Sequence, residues 1–382
     1  MIIIKAVGIV CEYNPFHSGH KYQIEAAKKL SGADAVCAVM SGSFVQRGGP
    51  AVFDKYTRAK AAVVCGADLV IELPGIYSGQ SAQPFAAGAV KTLLASNCID
   101  GISFGTEQAD TETILKTAHI FNDETPELKT AIKSALSEGN GYPSAKTAAL
   151  KKVYGIDFTS SPNNILAVEY AREILKSGKK TSIYPILRKG SEHDSFGSAS
   201  YIRGLIQNKK DYSEYVPGAA FDIFKNARPV FETDFENLIL YKLRTATTAD
   251  LSGIADISEG LENRLKNNAA CKNLSDLYAA CSAKRYSHAR IRRALFNILL
   301  GITKTDINTQ PQYIKVLAAN KTGCALIKEI KEKSEIPIIT KPSFGKSFPI
   351  FQKEAEITAV YAIAGTISAD AEYTATPYIN EN

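Results

Sequence analysis

No stretch of this chain is apolar over the ~20 consecutive residues that a membrane-spanning helix needs. The apolar segment 1–10 is ended by Glu12, and it lacks the basic start and the small-residue cleavage site of a signal peptide. The seven cysteines are odd in number and no two have CxxC spacing, so neither a disulfide framework nor a structural zinc site is predicted. These absences predict a cytoplasmic protein without a membrane partner.

The composition is that of a folded protein with a mild excess of positive charge. Of the 382 residues, 45% are hydrophobic, which is enough for a full core in two or three domains of ~150 residues each. The formal net charge of +6 permits an anionic partner without requiring one. The function must therefore be sought in local motifs.

The first half of the chain alternates short apolar runs with amphipathic segments. Strands are predicted over residues 5–11, 33–40, 68–73, 99–104 and 181–187. Helices are predicted over residues 18–30, 55–65, 82–95 and 200–206, and residues 110–178 are expected to be mostly helical. Strands that alternate with helices of this length indicate parallel βαβ units, whose ligands bind at the carboxyl ends of the strands.

The predicted fold class is α/β, with a Rossmann-like parallel sheet in residues 1–216 and a mainly α-helical domain in residues 217–382. Past Pro217 the alternation of strand and helix is expected to stop. Residues 231–300 read as a series of amphipathic helices, and residues 336–339 as a short strand. The polar end, residues 372–382, is expected to be loose.

The most informative motif is Asn-Pro-Phe-His-Ser-Gly-His at residues 14–20, directly after the first predicted strand. Two of the five histidines of the chain, His17 and His20, fall in this turn. The start of a helix offers unpaired N–H groups and a positive dipole end, and Gly19 allows a nucleotide to approach closely. The imidazoles can then donate to phosphate oxygens as negative charge develops. The alternative, a capped helix with incidental histidines, fits this concentration of histidines less well.

A second motif, Ser-Ala-Ser-Tyr-Ile-Arg at residues 198–203, opens the helix after the last predicted strand. Ser200 is the expected N-cap of that helix. Arg203 lies near the helix start, where its guanidinium can form charge-assisted hydrogen bonds with a phosphate. Each motif alone is weak, but the pair, one after strand one and one after strand five, is specific.

The two motifs together resemble the bipartite signature of the HIGH-type nucleotidyltransferase superfamily. The longer segments 8–20, 39–48, 68–74, 104–107 and 162–166 resemble the tRNA(Met) cytidine acetate ligase family. The likeness covers residues 5–205 with ordered motifs, and the C-terminal part more loosely. Ser18 stands where that family often has Asn, and the Ser-Ala-Ser at 198–200 departs from the usual Ser-Ser-Thr or Ser-Ala-Thr but keeps a hydroxyl at position 200.

The resemblance implies ATP-dependent acetylation of the wobble cytidine of elongator tRNA(Met) through an acetyl-adenylate. It implies acetate and that tRNA as substrates, and Mg²⁺ on the β- and γ-phosphates. The catalytic residues are expected to be His17 and His20. The residues expected to bind ATP are Val7, Gly8, Ile9, Val10, Cys11, Glu12, Tyr13, Asn14, Pro15, Phe16, His17, Ser18, Gly19, His20, Gly105, Asn163, Arg188, Ser200 and Arg203.

For three of these positions, the residue type and its place in the sequence also give a reason to expect a contact with ATP. Gly105 follows a strand and can offer its N–H without a side chain in the way. Asn163 has both a donor and an acceptor for an adenine or ribose edge, although a turn residue after Pro162 is an equally good interpretation. Arg188 ends the last strand, where it can grip a phosphate or simply be a solvated charge.

Two further segments are candidates for contacts with the acid or the RNA. The Gly/Ser-rich loop 41–49, with Gln46 and Arg47, can hold the acid or the target base, or can be a polar connection, and it is not a Walker A sequence. The acid-free run 284–293 is expected to turn its cations to solvent, where they can bind an RNA backbone or form an ordinary solvated face. The residues expected to bind tRNA are Lys284, Arg285, Arg290, Arg292 and Arg293.

Two other functions share these motifs. One is a small-molecule adenylyltransferase that acts on a cofactor precursor, and the other is a non-catalytic RNA-binding protein that uses ATP only as a ligand. No cluster of carboxylates in the sequence marks a dedicated protein metal site.

Overall fold

The computed structural model describes residues 4–188 and 197–381, and an eight-stranded sheet runs through them. The strands are β1 (Ala6–Cys11), β2 (Ala35–Ser41), β3 (Leu69–Leu73), β4 (Gly101–Thr106), β5 (Ser182–Leu187), β6 (Ile314–Asn320), β7 (Ile338–Ile339) and β8 (Tyr378–Asn380). Their order is β5-β4-β1-β2-β3-β6-β7, with β8 also paired to β6. All pairs are parallel except β3 with β6. The predicted α/β class with a mostly parallel sheet is confirmed.

Helices connect the strands and cover both faces of the sheet. In the first half they are α1 (Ser18–Ser31), α2 (Lys55–Val64), α3 (Gly75–Ser78), α4 (Ala82–Ala95), α5 (Thr111–Asn122), α6 (Pro126–Ser137), α7 (Tyr142–Tyr154), α8 (Pro162–Ser177) and α9 (Ala199–Gln207). In the second half they are α10 (Gly218–Phe224), α11 (Glu236–Thr245), α12 (Thr248–Ser252), α13 (Leu261–Asn267), α14 (Leu274–Cys281), α15 (His288–Leu300), α16 (Lys321–Lys333), α17 (Pro349–Ala362) and α18 (Ala371–Thr374). None of these helices, all within the described residues, is long and apolar enough to cross a bilayer.

The central strands are apolar on both faces because helices pack on both. Along β2, Ala35, Cys37 and Val39 belong to one hydrophobic core, whereas Val36 and Met40 belong to the other. Side chains alternate across a strand, so a strand covered on both sides reads as a continuous apolar run. This is the pattern from which strands β1 to β4 were predictable.

The C-terminal part differs from the prediction, because it returns to the sheet after the helices. Strand β6 pairs antiparallel with β3, with Leu69 opposite Ala319, and β6–α16–β7 is a further strand–helix–strand unit. The expectation that alternation stops at Pro217 is therefore wrong. The proposed domain boundary at 216/217 stays a prediction, and the sheet contains strands from both sides of it.

The end of the chain is also more ordered than expected. Within residues 372–381, Glu372 lies in α18 with no solvent exposure, and β8 pairs with β6. Asn382 lies outside the described residues. The polar sequence predicts a loose end, but in the structure Glu372 is held by buried partners.

Those partners form a cluster of five buried charged residues, Lys55, Glu72, Lys315, Glu354 and Glu372, which we call the buried ion cluster. The Lys55 Nζ lies 2.6 Å from Glu372 Oε2 and 3.1 Å from Glu354 Oε1, and it also contacts Glu72. Lys315 bridges Glu72, at 3.2 Å, and Glu372. The cluster therefore ties α2 and β3 to three C-terminal elements.

A buried arginine holds together the loops that follow β1 and β2. Arg58 has no solvent exposure, and its Nε donates to the carbonyl of Phe53 at 2.8 Å. Its Nη1 donates to the carbonyl of Glu12 at 2.5 Å, and its Nη2 donates to the carbonyl of Gly42. Since each carbonyl would otherwise be an unsatisfied buried acceptor, Arg58 fixes these loops relative to one another.

Candidate active site

The turn from β1 into α1 orients both histidines of the first motif. His17 is the N-cap of α1, and its Nδ1 accepts a hydrogen bond from the N–H of Gly19 at 3.1 Å. The Nδ1 of His20 accepts from the N–H of His17 at 3.2 Å, and the two rings stack with centroids 3.7 Å apart. Because both Nδ1 atoms accept, each neutral ring carries its proton on Nε2.

The surroundings keep both imidazoles neutral. Burial lowers the pKa of His17 to about 4, with the positive charges of Arg188 and Arg203 adding to the effect. Burial, His17 and Arg188 together lower the pKa of His20 well below its ordinary value. At pH 7 each ring is therefore a single N–H donor at Nε2 rather than a cation.

Aromatic and polar groups behind the loop hold this arrangement. Tyr13 packs edge-on against His20, with ring centroids 4.9 Å apart, and Phe16 packs against both. The side-chain oxygen of Asn14 accepts from the N–H of Val52 at 2.7 Å. The loop between β1 and α1 is thus a rigid support for the two donors.

The second motif docks on the first. The N-cap of α9 is Ser198, whose hydroxyl accepts from the N–H of Tyr201, so the expectation that Ser200 is the cap is wrong. Ser200 lies in the first turn instead, and its hydroxyl accepts from Arg203 Nη2 at 3.0 Å. The Nη1 of Arg203 donates to the carbonyl of Asn14 at 2.7 Å. This bond brings the helix of the second motif against the turn of the first.

These elements enclose a cavity of about 630 Å³ at the carboxyl ends of β1, β4 and β5. Eleven of the predicted ATP-binding residues line it, namely Val10, Cys11, Glu12, His17, Gly19, His20, Gly105, Asn163, Arg188, Ser200 and Arg203. The others do not line it, because they lie within β1, behind the loop or on the outer side of α1: Val7, Gly8, Ile9, Tyr13, Asn14, Pro15, Phe16 and Ser18.

Several lining residues were missed or left open by sequence reasoning. Gln46 and Arg47 come from the loop after β2, Phe85 comes from α4, and Arg293 comes from α15 in the helical part. The loop after β2 reaches α15 closely, since a Cβ on Gly48 would lie 2.7 Å from the backbone of Arg293. The sequence marks Gln46 and Arg47 as candidates, but no local signal connects Phe85 or Arg293 to this cavity, so only the tertiary structure reveals those two.

On the opposite wall, Glu107 fixes the orientation of Asn163. The Asn163 Nδ2 donates to Glu107 Oε1 at 2.5 Å, and the Ser161 hydroxyl donates to Glu107 Oε2 at 2.6 Å. A carboxylate only accepts, so the amide nitrogen of Asn163 must face Glu107. Nearby, a Cβ on Gly105 would lie 3.3 Å from Arg188 Cγ, so a side chain at this position would require the flexible Arg188 side chain to shift by a few tenths of an ångström.

Comparison with known proteins agrees with this geometry. The sequence profile described as HIGH Nucleotidyl Transferase matches residues 4–375. A tRNA(Met) cytidine acetate ligase of Caldanaerobacter subterraneus is 40% identical, with 94% of this chain and 96% of that protein covered. One of Clostridium perfringens is 34% identical, with 97% and 98% covered.

The chain belongs to the tRNA(Met) cytidine acetate ligase family. It is therefore an enzyme of the ligase class with a HIGH nucleotidyltransferase fold. The crystal structure of Thermotoga maritima TmcAL bound with alpha-thio ATP matches it with a TM-score of 0.93 at 28% identity, over 99% of this chain and 100% of that one. The apo structure of the same Thermotoga protein matches with the same TM-score.

The basic run of this family member is less open than expected. Arg290 pairs with Glu259 at 2.7 Å, Arg292 pairs with Glu232 at 2.9 Å, and Arg293 pairs with Asp256. The expectation that these three arginines face solvent is therefore wrong, because acids distant in sequence fold against them. Lys284 and Arg285 are exposed, as expected. A role of any of the five in binding tRNA stays a prediction.

One group of three carboxylates in residues 4–188 and 197–381 is close enough to share a metal ion, namely Glu72, Glu354 and Glu372. The ammonium groups of Lys55 and Lys315 lie among these oxygens. The cluster is thus neutralised by protein cations, and its carboxylates are not free ligands.

Proposed function

We propose that this ligase activates acetate with ATP and transfers the acetyl group to the wobble cytidine of elongator tRNA(Met). The observation that carries the proposal is the pair of neutral imidazoles, each with its Nδ1 occupied by a backbone N–H. The Nε2–H groups, the N-terminus of α1, Arg188 and Arg203 together form a site for phosphate groups. The ATP analogue bound by the Thermotoga relative supports ATP as the ligand.

In the first step, a carboxylate oxygen of acetate attacks the α-phosphorus, and the bond to pyrophosphate breaks. Acetyl-adenylate forms, and the negative charge leaves with pyrophosphate. Charge on the α-phosphate oxygens is greatest in the transition state, so donors held in place beforehand accelerate this step. His17 and His20 are the proposed donors.

In the second step, the cytidine N4 attacks the acetyl carbon, and the bond from that carbon to the phosphate oxygen breaks. AMP leaves and N4 loses a proton. Mg²⁺ would be brought by the nucleotide, whose phosphate oxygens it prefers as ligands, and would screen the charge of the β- and γ-phosphates. Among the described residues lining the cavity, Glu12 is the sole carboxylate, and its Oε1 already accepts from the N–H of Gln46 at 2.9 Å. Among the described lining residues, no cluster of carboxylates is available to the ion.

The direct test supplies purified protein with bulk tRNA and isotopically labelled acetate, with and without ATP. We expect label in a modified cytidine only when ATP is present. Turnover of a phosphorylated cofactor precursor would instead identify an adenylyltransferase, and RNA binding without ATP–pyrophosphate exchange would identify a binding protein. Transfer of label from acetyl-coenzyme A, and not from acetate, would contradict the proposal.

The Glu107–Asn163 contact predicts how the base of the nucleotide is selected. With its nitrogen held by Glu107, Asn163 offers a carbonyl that can accept from the adenine amine but repels the guanine oxygen. In Glu107→Gln the neighbouring amide can donate or accept, so Asn163 can rotate. We expect the ratio of the GTP to the ATP dissociation constant to fall roughly 10-fold, because one hydrogen bond would no longer discriminate between the two bases. Isothermal titration with both nucleotides measures this ratio.

The matched control is Glu112→Gln, an exposed carboxylate in the first turn of α5. Its nucleotide preference should equal that of the wild type. If Glu107→Gln weakens ATP and GTP equally, the carboxylate supports the wall of the cavity without selecting the base.

The exposed side chains of Lys284 and Arg285 predict a salt-dependent contact with tRNA. Lys284→Ala combined with Arg285→Ala should weaken tRNA binding and reduce the slope of log affinity against log salt by up to ~2, since each lost phosphate contact removes about 0.9. Filter binding between about 50 and 300 mM salt, an interval that includes physiological ionic strength, gives this slope. The control replaces Lys328 and Lys331, exposed lysines of α16. An unchanged slope in the first variant would show that its cations are only a solvated surface.

A further inference from the structure

An exposed aromatic residue, Tyr142, is flanked in the chain by one residue that lines the cavity and one that lies against the 284–285 segment. Tyr142 is the first residue of α7 and is 50% exposed. The next residue, Pro143, lines the cavity. The residue before it, Gly141, lies against the backbone of the 284–285 segment, since a Cβ there would be 3.8 Å from the carbonyl oxygen of Arg285.

The loop that precedes Tyr142 and the 284–285 segment are joined directly. The Nζ of Lys284 donates to the carbonyl of Glu138 at 3.0 Å, in the loop that precedes Tyr142. The Nζ of Lys146 lies 5.7 Å from the centre of the Tyr142 ring. Tyr142 is thus a half-exposed ring on a loop that contacts the exposed 284–285 segment, whereas the Nζ of Lys146 near the ring is buried and pairs with Glu169 at 3.8 Å.

This combination suits a single-stranded nucleic acid more than another class of partner. A base that reacts inside a cavity must leave its stack, and its departure exposes the face of the neighbouring base. Aromatic side chains stack on such exposed base faces, and adjacent cations contact the phosphates. Tyr142 directly precedes Pro143 of the cavity lining, so the base next to the reacting one is the candidate for its ring.

We propose that the ring of Tyr142 stacks on the nucleobase that flanks the reacting cytidine, while Lys284 and Arg285 contact the backbone of the same loop. The inference rests on the proposed function, since it takes the RNA substrate from there. It adds a residue that holds the loop open at the entrance of the cavity.

The chain contains no tryptophan, so a single substitution provides a reporter of stacking. In Tyr142→Trp the indole is the sole tryptophan, and a base stacked on it should quench its fluorescence. We expect saturable quenching when an anticodon stem-loop RNA with a wobble cytidine is added. The control is Phe344→Trp, 65% exposed and just after β7, at the sheet edge opposite to the cavity. Its fluorescence should not change.

A second measurement follows transfer to full-length tRNA. Tyr142→Ala should raise the KM for tRNA roughly 10- to 100-fold, as loss of one stacked base typically does. Tyr142→Phe keeps the ring and should stay within a factor of about 2 of the wild type, and thermal unfolding shows whether both variants are folded.

Quenching of the indole in Tyr142→Trp, together with loss in the alanine variant and rescue by phenylalanine, supports the inference. Absence of quenching, or a wild-type KM in Tyr142→Ala, overturns it. If the wild-type protein acetylates tRNA in the same experiment, either of these two outcomes refutes only the role of Tyr142 and leaves the proposed function intact. If the wild type does not acetylate RNA at all, the proposed function fails and the inference fails with it.

Discussion

His17→Ala and His20→Ala are each expected to slow acetate-dependent ATP–pyrophosphate exchange by ~100-fold or more, the usual effect of losing one preorganised donor at a developing charge. ATP binding should weaken much less, because the N-terminus of α1 and the arginines still hold the phosphates. Each ring is neutral and carries its proton on Nε2, so the lost group is a directed N–H donor and not a general positive charge. Exchange kinetics and equilibrium binding of ATP separate the two effects.

His17 has a structural role as N-cap, and one variant separates it from catalysis. Asparagine is a good N-cap, so His17→Asn should keep the stability of α1 but lose the Nε2–H donor. We expect exchange in His17→Asn to be as slow as in His17→Ala, with a higher melting temperature. His119→Ala, an exposed histidine of α5, serves as the control and should behave as wild type. Near-normal exchange in His17→Asn would show that the ring only caps the helix.

Lys55→Met is expected to lower the free energy of unfolding by about 3–5 kcal/mol, because it leaves buried carboxylates without their main cation. Lys55, Glu72 and Glu372 have fully buried side chains, and the attraction of the carboxylates outweighs burial and raises the pKa of Lys55. Denaturant unfolding at pH 7 measures the loss. The control is Lys225→Met, which breaks an exposed ion pair with Asp222 and should change stability little.

The cluster holds three carboxyls and two ammonium groups, so one carboxyl is expected to be protonated. Burial raises the pKa of Glu354 to about 8, whereas the charges of Lys315 and Lys55 outweigh burial and lower the pKa of Glu72 to about 2. Between pH 4.5 and 8 the folded protein therefore retains a proton on Glu354 that the unfolded chain has released. The contribution of this group to stability is lost as the pH rises through that window.

Two amide variants test this assignment. Glu354→Gln is close to the protonated carboxyl, can still accept from the N–H of Gly75, and should cost little at pH 7. It should also remove the part of the pH dependence due to Glu354. Glu72→Gln replaces a charge that pairs with both lysines and should cost much more. Equal losses in the two variants would refute a protonated Glu354.

Much of the N-terminal half of the fold was predictable from the sequence. Strands β1 to β5 lie within two residues of the predicted bounds. For β1 to β4 the reason is that strands covered on both faces are continuous apolar runs. The position of His17 and His20 after β1 was predictable because their motif directly follows that strand in the sequence. The hydroxyl cap of α9 was misplaced by two residues, since Ser198 and Ser200 are equally good caps by sequence.

By itself, the sequence determined the parallel βα order, the turn that carries the two histidines, and the family to which the chain belongs. These depend on residues that are neighbours along the chain, whose spacing and periodicity are visible in one dimension. Only the tertiary structure decided the return of β6 to the sheet, the buried ion cluster, the pairing of Arg290, Arg292 and Arg293 with acids, and the entry of Arg293 into the cavity. Each of these joins charges or strands tens to hundreds of residues apart, and a buried charge reads in sequence like a solvated one until its partner is in place.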